Sequence, residues 1–199
     1  MIKLAWNNRF DRSDYLYGDR PNVFFRKVLR HFTPGRILLP AEGEGRNAVF
    51  AASRGWEVDA FDFSEVARDK AMKLAGSRGV EINYCNADIY DVSLKIDYYD
   101  VVGVFFLHLP PDTRTTVHRK LIDSLKMDGI LIMEVFSKRQ IGKSSGGPDD
   151  IDLLYDVENL KRDFEMLHLV TCEERVIILN EGPGHKGKGS VIQLVGYKY

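Results

Sequence analysis

Residues 36–50, "RILLPAEGEGRNAVF", contain the change of pattern that decides the fold. A short apolar run, Ile37–Leu39, stops at Pro40, and the glycine-rich segment Glu42–Gly45 leads directly into a helix-like sequence. A glycine-rich turn between a strand and a helix lets the backbone approach a ligand closely, because no Cβ intervenes and the first N–H groups of the helix face the ligand. The segment therefore predicts a binding site for an adenosine-bearing cofactor.

Length, charge and cysteine content limit the class of protein. The chain has 199 residues, of which 44% are hydrophobic, and this suits a single domain, residues 1–199, with a sizeable core. Lys and Arg number 28 against 29 Asp and Glu, so no basic field favours a nucleic-acid partner. We see neither a signal peptide nor a run of about 18 apolar residues that could span a membrane. Cys85 and Cys172 lie in apolar runs, so we expect buried, reduced thiols and a cytoplasmic protein.

Strand-like and helix-like patterns alternate along the chain. The predicted strands cover residues 37–39, 56–61, 80–85, 100–106, 129–136, 167–179 and 190–197. The predicted helices cover residues 21–32, 47–53, 64–79, 111–128 and 156–164. Strands that alternate with helices at this spacing predict a parallel sheet with helices on both faces. The last two strands are separated only by Asn180–Gly189, which is too short for a crossover helix, so they are predicted to form an antiparallel hairpin.

The glycine-rich loop matches two cofactor-binding patterns. Gly43-x-Gly45-x-x-Ala48 fits the dinucleotide fingerprint, which allows alanine at its third position. Ala41-x-Gly43-x-Gly45 fits a methyltransferase loop in which alanine replaces one glycine. A third interpretation is a tight strand-to-helix turn that binds no ligand.

Two acidic residues after later strands favour a cofactor. Asp62 ends the second predicted strand, where its carboxylate can accept hydrogen bonds from both ribose hydroxyls of an adenosine. Asp88 follows the third strand and can accept from an adenine amino group, while the neighbouring Ile89 covers the ring. The alternative roles are an N-cap of the following helix for Asp62 and a turn aspartate for Asp88.

Taken in order, these residues resemble those of the class I S-adenosylmethionine-dependent methyltransferases. The resemblance rests on residues 41–46, Asp62-Phe63-Ser64, Ala87-Asp88 and the strands within 100–107 and 129–136, and it covers nearly the whole chain. The stretches "YLYGDRPN" and "GEGRNAVFAASRGWEVDAFDFS" are most similar to the tellurite-resistance TehB-type branch, which is related to the thiopurine methyltransferases. The resemblance implies a Rossmann-like three-layer α/β sandwich with a mainly parallel seven-stranded sheet and an antiparallel C-terminal hairpin. It also implies S-adenosylmethionine as the cofactor.

The predicted cofactor residues extend from Tyr17 to Phe105. They are Tyr17, Ala41, Glu42, Gly43, Gly45, Asp62, Phe63, Asp88, Ile89 and Phe105. The family usually has an acidic residue at the position of Leu39 and a glycine at the position of Ala41, so Glu42 or a backbone carbonyl must hold the methionine amino group here. No metal site is predicted.

Two other functions remain open from the sequence. One is a nicotinamide-dependent oxidoreductase built on the same fingerprint, and the other is a non-catalytic cofactor-binding domain of the same fold. Residues 1–35, which we call the lead-in, are rich in aromatic residues and suit a lid, with residues 11–22 closing over the cofactor. The lead-in, the acid at Asp88 and the short chain favour a methyltransferase.

The methyl acceptor is predicted to be a small molecule. Residues 105–110, "FFLHLP", lack the Asn/Asp-Pro-Pro-Tyr pattern of amine methylases, and no Pro-Cys pair offers a nucleophile for pyrimidine C5. A thiol, a chalcogen oxyanion such as tellurite or selenite, or a small heterocycle remains. His108 is a candidate base and His185 a candidate oxyanion ligand, against the alternatives of a surface or packing histidine and a solvated basic loop. The oligomeric state is not predicted.

Overall fold

The computed structural model describes residues 2–199, which divide into two compact units: residues up to Val92 with Glu181–His185, and Ser93–Asn180 with Lys186–Tyr199. The first unit contains α1 (Ile2–Phe10), α2 (Val23–Leu29), β1 (Arg36–Pro40), α3 (Arg46–Ala52), β2 (Glu57–Asp62), α4 (Glu65–Ser77) and β3 (Asn83–Asn86). The second contains β4 (Tyr99–Phe105), α5 (Pro111–Ser124), β5 (Leu125–Phe136), two short 3-10 helices (Lys138–Gln140 and Ile151–Leu153), α6 (Val157–Asp163), β6 (Leu167–Asn180) and β7 (Lys186–Lys198). None of the helices within residues 2–199 is both long and apolar enough to cross a membrane.

The seven strands form one sheet in the order β3-β2-β1-β4-β5-β7-β6. In the first unit β1 pairs in parallel with β2, and β2 with β3. In the second unit β4 pairs in parallel with β5, whereas β7 runs antiparallel to both β5 and β6. These pairings confirm the predicted Rossmann-like α/β fold, with a mainly parallel seven-stranded sheet and an antiparallel C-terminal hairpin.

The apolar runs that predicted central strands are buried. Ile37, Leu38 and Leu39 of β1 are each at most 1% exposed. In β5, the residues from Leu131 to Met133 are completely buried. A parallel strand that is covered on both faces needs apolar side chains at every position, which is why these runs do not alternate.

One helix ends earlier than predicted, and another helix was not predicted. Helix α5 begins at Pro111 as predicted but ends at Ser124, because Leu125 already pairs with Tyr99 as the first residue of β5. Asp128 then turns the chain with a positive φ of 61°. The sequence also gave no sign of α1, whose Phe10 is buried against Leu16 and Ala67. Its short apolar face was too weak a pattern to recognise.

The predicted burial of both thiols is wrong. Cys85 is exposed and Cys172 is partly exposed. Strand β3 begins at Asn83, and side chains alternate between its two faces, so that Tyr84 is 9% exposed while Cys85 points to solvent.

The loop between β1 and α3 requires glycine at its last position for reasons of packing. Gly45 is the N-cap of α3 and has a φ of +85°. A Cβ at this position would lie 2.5 Å from the Cβ of Ala71 in α4. Glycine therefore allows α3 and α4 to approach each other, whatever else the loop binds.

Glu42 replaces the side-chain cap that Gly45 cannot provide. One oxygen of its carboxylate accepts from the N–H of Asn47 at 2.7 Å and from the N–H of Ala48 at 2.8 Å. These are N–H groups in the first turn of α3, which have no partner within the helix. Burial raises the pKa of Glu42 to about 7.

Replacement of Gly45 by alanine should destabilise the protein by about 3 kcal/mol, because the left-handed backbone and the collision with Ala71 both oppose a Cβ. Chemical denaturation measures this value. Gly76→Ala is the matched control: a Cβ at Gly76 in α4 has no heavy atom within 4 Å, so this change should stabilise by about 0.5–1 kcal/mol. Equal effects of the two substitutions would contradict the packing role.

Glu42→Gln should change how stability depends on pH. The native pKa of about 7 lies above the ordinary value of 4.5, so the folded state binds the proton more tightly than the unfolded state. The contribution of Glu42 is therefore fully present below pH 4.5 and is lost as the pH rises through 7. Glutamine keeps the acceptor for α3 without a charge. As the pH rises from 4.5 to 7, the free energy of unfolding of the variant should therefore increase by on the order of 2 kcal/mol relative to that of the native protein. Denaturant titrations across pH 4–8 test this, with the exposed Glu57→Gln as control. Parallel pH curves for Glu42→Gln and the native protein would refute it.

Candidate cofactor site

Gly43 is held from both sides by the strands that follow the loop. Its N–H donates to the carboxylate of Asp62 at 3.1 Å, and its carbonyl accepts from the hydroxyl of Tyr84 at 2.6 Å. Burial raises the pKa of Tyr84 well above its usual value, so the phenol keeps its proton and remains a donor. The carboxyl end of β2 and the middle of β3 therefore set the conformation of the loop.

Asp62, the last residue of β2, holds the loop and the start of α4 at once. Its carboxylate is 6% exposed and accepts from the N–H of Ser64 at 2.8 Å as well as from Gly43. Ser64 is the N-cap of α4, as predicted. Burial, with a smaller contribution from the charge of Asp88, raises the pKa of Asp62 to about 6. Each carboxylate oxygen has a further lone pair, so Asp62 can hold the loop and still accept from two hydroxyls.

Asp88 and Ile89 lie at the same edge of the strands as Asp62. The N–H of Ala87 donates to the carbonyl of Asp62 at 3.1 Å. Asp88 is exposed, and its carboxylate accepts from the N–H of Tyr90 at 3.0 Å, which is the turn role that the sequence left open. Ile89 is 6% exposed. An acidic and an apolar side chain therefore follow β3 side by side.

Two charged residues, Glu44 in the loop and Arg46 at the start of α3, hold the lead-in in place. Glu44 is 4% exposed, accepts from the N–H of Leu16 at 2.7 Å and forms an ion pair with Lys70. Arg46 donates to the carbonyl of Tyr17 at 3.1 Å. These side chains supply partners for buried backbone groups in a segment that has no regular secondary structure.

Arg46 also belongs to a buried cluster with Glu181 and His185. The guanidinium lies 2.9 Å from the Glu181 carboxylate, and both side chains are less than 10% exposed. Nδ1 of His185 lies 3.6 Å from the same carboxylate oxygen. Burial alone would raise the pKa of Glu181, but His185 and Arg46 together lower it. Burial lowers the pKa of His185, so its imidazole is neutral at pH 7. At 4% exposure, His185 is not part of a solvated basic loop.

Aromatic rings continue from His185 across the lead-in. The ring of Tyr17 lies 4.3 Å from the imidazole of His185 and 6.4 Å from the ring of Phe10. Phe10 in turn stacks on Trp6 at 5.3 Å. A Cβ at Gly43 would lie 3.5 Å from the Phe10 ring, which is an ordinary contact. Tyr17 therefore lies in an aromatic row beside the loop.

Phe105 and His108 belong to the second unit. Phe105 is the last residue of β4 and is 8% exposed. Nδ1 of His108 lies 2.9 Å from the carbonyl of Leu153, which can only accept, so Nδ1 carries the proton and Nε2 is the basic nitrogen. The imidazole stacks on Phe136 at 5.7 Å. His108 therefore has a fixed orientation and a defined basic nitrogen.

The structure brings most of the predicted cofactor residues together. All except Phe105 lie in the first unit, including Phe63, which is half-buried next to Asp62. The sequence interpretation missed the polar residues that hold the loop, namely Glu44, Arg46, Asn47, Tyr84 and Glu181. The charged residues in "EGEGRN" indicate buried partners, because charged residues next to a closely packed loop are rarely buried unless they are paired. Within the described part of the chain, no three His, Cys, Asp or Glu side chains are grouped to hold a metal ion.

Comparison with known proteins agrees with this arrangement. Residues 37–129 match the family model of a methyltransferase domain. The chain has no significant match among curated proteins.

Three solved structures have a similar fold. One is a protein from work on the conversion of a disulfide bond into a thioacetal group during echinomycin biosynthesis, with a TM-score of 0.78 and 17% identity over 100% of this chain and 93% of that chain. The N-methyltransferase NodS from Bradyrhizobium japonicum WM9, in complex with S-adenosyl-L-homocysteine, has a TM-score of 0.74 and 14% identity over 98% and 97% of the two chains. TehB from Haemophilus influenzae has a TM-score of 0.74 and 14% identity over 90% of this chain but only 63% of its own.

Identities this low show the fold, and the domain match adds the activity. The matched residues, 37–129, include the glycine-rich loop, Asp62 and the turn at Asp88. The nicotinamide-dependent alternative is not favoured. Residues 37–129 match a methyltransferase domain, and the protein is a methyltransferase whose cofactor is S-adenosylmethionine.

Proposed function

We propose that the enzyme methylates a small molecule: a thiol, a chalcogen oxyanion such as tellurite or selenite, or a small heterocycle. The observation that carries this proposal is the contact between Tyr17 and the buried, neutral His185 beside the glycine-rich loop. Aromatic rings next to a small number of polar groups suit a small acceptor, because small-molecule sites are mostly apolar with few polar groups. The similarity to TehB supports membership of the TehB-type branch.

The cofactor roles follow from the edge formed by β1, β2 and β3. We assign the ribose hydroxyls to Asp62 and the adenine amino group to Asp88, with Ile89 against the ring. Phe63 and Phe105 are assigned as further apolar neighbours of the cofactor. The backbone of the loop at Gly43 is assigned to the methionine part, because its positive φ of 63° leaves that side of the peptide without a Cβ.

The methionine amino group is assigned to a backbone carbonyl of the loop. Leu39 cannot accept a hydrogen bond through its side chain. One oxygen of Glu42 already accepts two N–H groups of α3, and the other accepts from the Asn47 amide at 3.3 Å. Helix α3 thus uses three of the roughly four acceptor sites of the Glu42 carboxylate, which favours a backbone carbonyl as the acceptor.

Bound S-adenosylmethionine supplies a methyl group activated by a positively charged sulfonium. The residues of this chain have only to orient the acceptor in line, exclude water and accept a proton when the acceptor is a thiol or hydroxyl. The ring face of Tyr17 favours the positive charge by about 0.5–2 kcal/mol. Nε2 of His108 is the candidate base, and the neutral imidazole of His185 is the candidate ligand of an oxyanion. An oxyanion acceptor needs no proton removal.

We also propose the lead-in as a cover for the cofactor. Its second half is held at Leu16 by Glu44 and at Asn22, whose N–H donates to the Asn47 side chain at 2.8 Å. Residues 11–14 between the two helices of the lead-in are exposed. Lys70 donates to the carbonyls of Arg12 and Asp14, so closure of residues 11–22 requires these bonds to break as well as those at Leu16 and Asn22.

Asp62→Asn should weaken the binding of S-adenosylhomocysteine by about 1.5–3 kcal/mol, because one acceptor for the ribose hydroxyls becomes a donor and the charge is lost. Asparagine retains one acceptor for the loop, so the fold should persist. Calorimetric titration measures the affinity, and Asp59→Asn on the same strand is the control. Unchanged affinity would remove Asp62 from the cofactor site.

Labelled S-adenosylmethionine should transfer its methyl group to at least one member of a panel of thiols, chalcogen oxyanions, small phenols and small heterocycles. With a thiol or phenol acceptor, His108→Gln should lower kcat by about 100-fold with little change in cofactor affinity, because only proton transfer is lost. His31→Gln, an exposed histidine, is the control. Label that appears only in protein or nucleic acid, and in no small molecule, would overturn the proposed substrate class.

A further inference from the structure

A second cavity opens at the opposite end of the first unit's strands from the glycine-rich loop. Its volume is about 640 Å³, and its walls include Pro34, just before β1, and Trp56, just before β2. The loop follows the carboxyl ends of the same strands. Since a five-residue strand spans about 16 Å, the cavity and the cofactor site are separate.

One wall of this cavity is a cationic face of α2. Arg26, Lys27 and Arg30 line the cavity at spacings of three and four residues, which places them on one side of the helix. Phe25 and Leu29 of the same helix are buried, and Leu29 also lines the cavity. A fourth cation, Arg54, follows the end of α3 and lines the same cavity.

These four cations lack acidic partners. No Asp or Glu lines the cavity, and none of the four forms an ion pair with an acidic side chain anywhere in residues 2–199. Several other arginines of the first unit do form ion pairs, such as Arg36 with Glu57 at 3.0 Å and Arg78 with Asp19 at 2.7 Å. In a chain with a net charge of −1, four unpaired cations around one cavity are a local positive field.

Aromatic side chains form the apolar part of the same cavity. Phe50 and Trp56 both line it, and the guanidinium of Arg54 lies 5.4 Å from the centre of the Phe50 ring. Trp56 is 5% exposed, so its indole is held rigidly by the core. Rigid rings beside cations offer stacking for a planar ligand and charge for an anionic group.

We propose that this cavity binds a small anion that carries an aromatic ring, of the chemical class of a nucleoside phosphate. The anionic group contacts Arg30 and Arg54, and the ring stacks on the partly exposed Phe50. The volume lies within the range of about 300–1,000 Å³ that small-molecule sites occupy, which favours a small ligand over a nucleic-acid strand. The site is separate from the methyl-transfer site and from its acceptor.

Calorimetric titration of AMP into the full-length protein, saturated with S-adenosylhomocysteine, tests the proposal. AMP should bind at one site. Adenosine and inorganic phosphate should each bind at least about tenfold more weakly, because adenosine lacks the anionic group and phosphate lacks the aromatic ring. The double variant Arg30→Gln/Arg54→Gln should weaken AMP binding by about tenfold or more and leave the affinity for S-adenosylhomocysteine unchanged. Arg119→Gln/Arg175→Gln changes the net charge equally, at exposed residues of the second unit, and should leave AMP binding unchanged.

Several outcomes would overturn the site. AMP affinity that is equal in the Arg30→Gln/Arg54→Gln variant and the native protein would exclude these cations. Loss of AMP binding on saturation with S-adenosylhomocysteine would place AMP at the glycine-rich loop instead. Binding of a single-stranded oligonucleotide without binding of AMP would assign the cationic face to nucleic acid. All four substituted arginines are exposed, and thermal denaturation of each variant confirms that it is folded.

Discussion

The buried charges of the glycine-rich loop are the constraint on which the first unit depends. Glu44 pairs with Lys70 and Arg46 pairs with Glu181, and all four side chains are largely hidden from solvent. Removing one partner of such a pair costs about 3–5 kcal/mol, because the other charge stays buried. The pairs are compatible with the fold because the same side chains bind backbone groups of the lead-in. The lead-in and the loop therefore depend on the same contacts and become ordered together.

Parallel strands then give the two ends of this unit different chemistry. Loops at the carboxyl ends of β1, β2 and β3 collect Gly43, Asp62 and Asp88 at one edge, which is where ligands bind in open α/β sheets. At the amino ends, α2 and the end of α3 present cations and aromatic rings around a second cavity. Ligand binding at the carboxyl ends of the strands is common in this type of fold. The cavity at the amino ends depends on the particular residues of α2.

The two candidate histidines differ in what their surroundings allow. His185 is buried beside Glu181 and Arg46, and its pKa is lowered, so it stays neutral and is coupled to the charges that hold the loop. His108 donates from Nδ1 to a backbone carbonyl, so its basic nitrogen is Nε2, which is buried. A substitution at His185 therefore disturbs the buried cluster in addition to any effect on catalysis. A substitution at His108 does not touch this cluster, so its effect on catalysis can be measured separately from its effect on stability.

The sequence by itself determined the order of strands and helices, the helix starts at Ser64 and Pro111, the hairpin and the cofactor loop, because periodicity, capping and turn length are local properties. It did not determine which polar residues are buried. Glu181 contacts Asn22 across 159 residues of chain, and no local pattern predicts such a contact. Likewise, glycine at position 45 was attributed to the cofactor, whereas the approach of Ala71 already requires it. Only the tertiary structure decided these roles, since burial and pairing depend on partners that folding brings together.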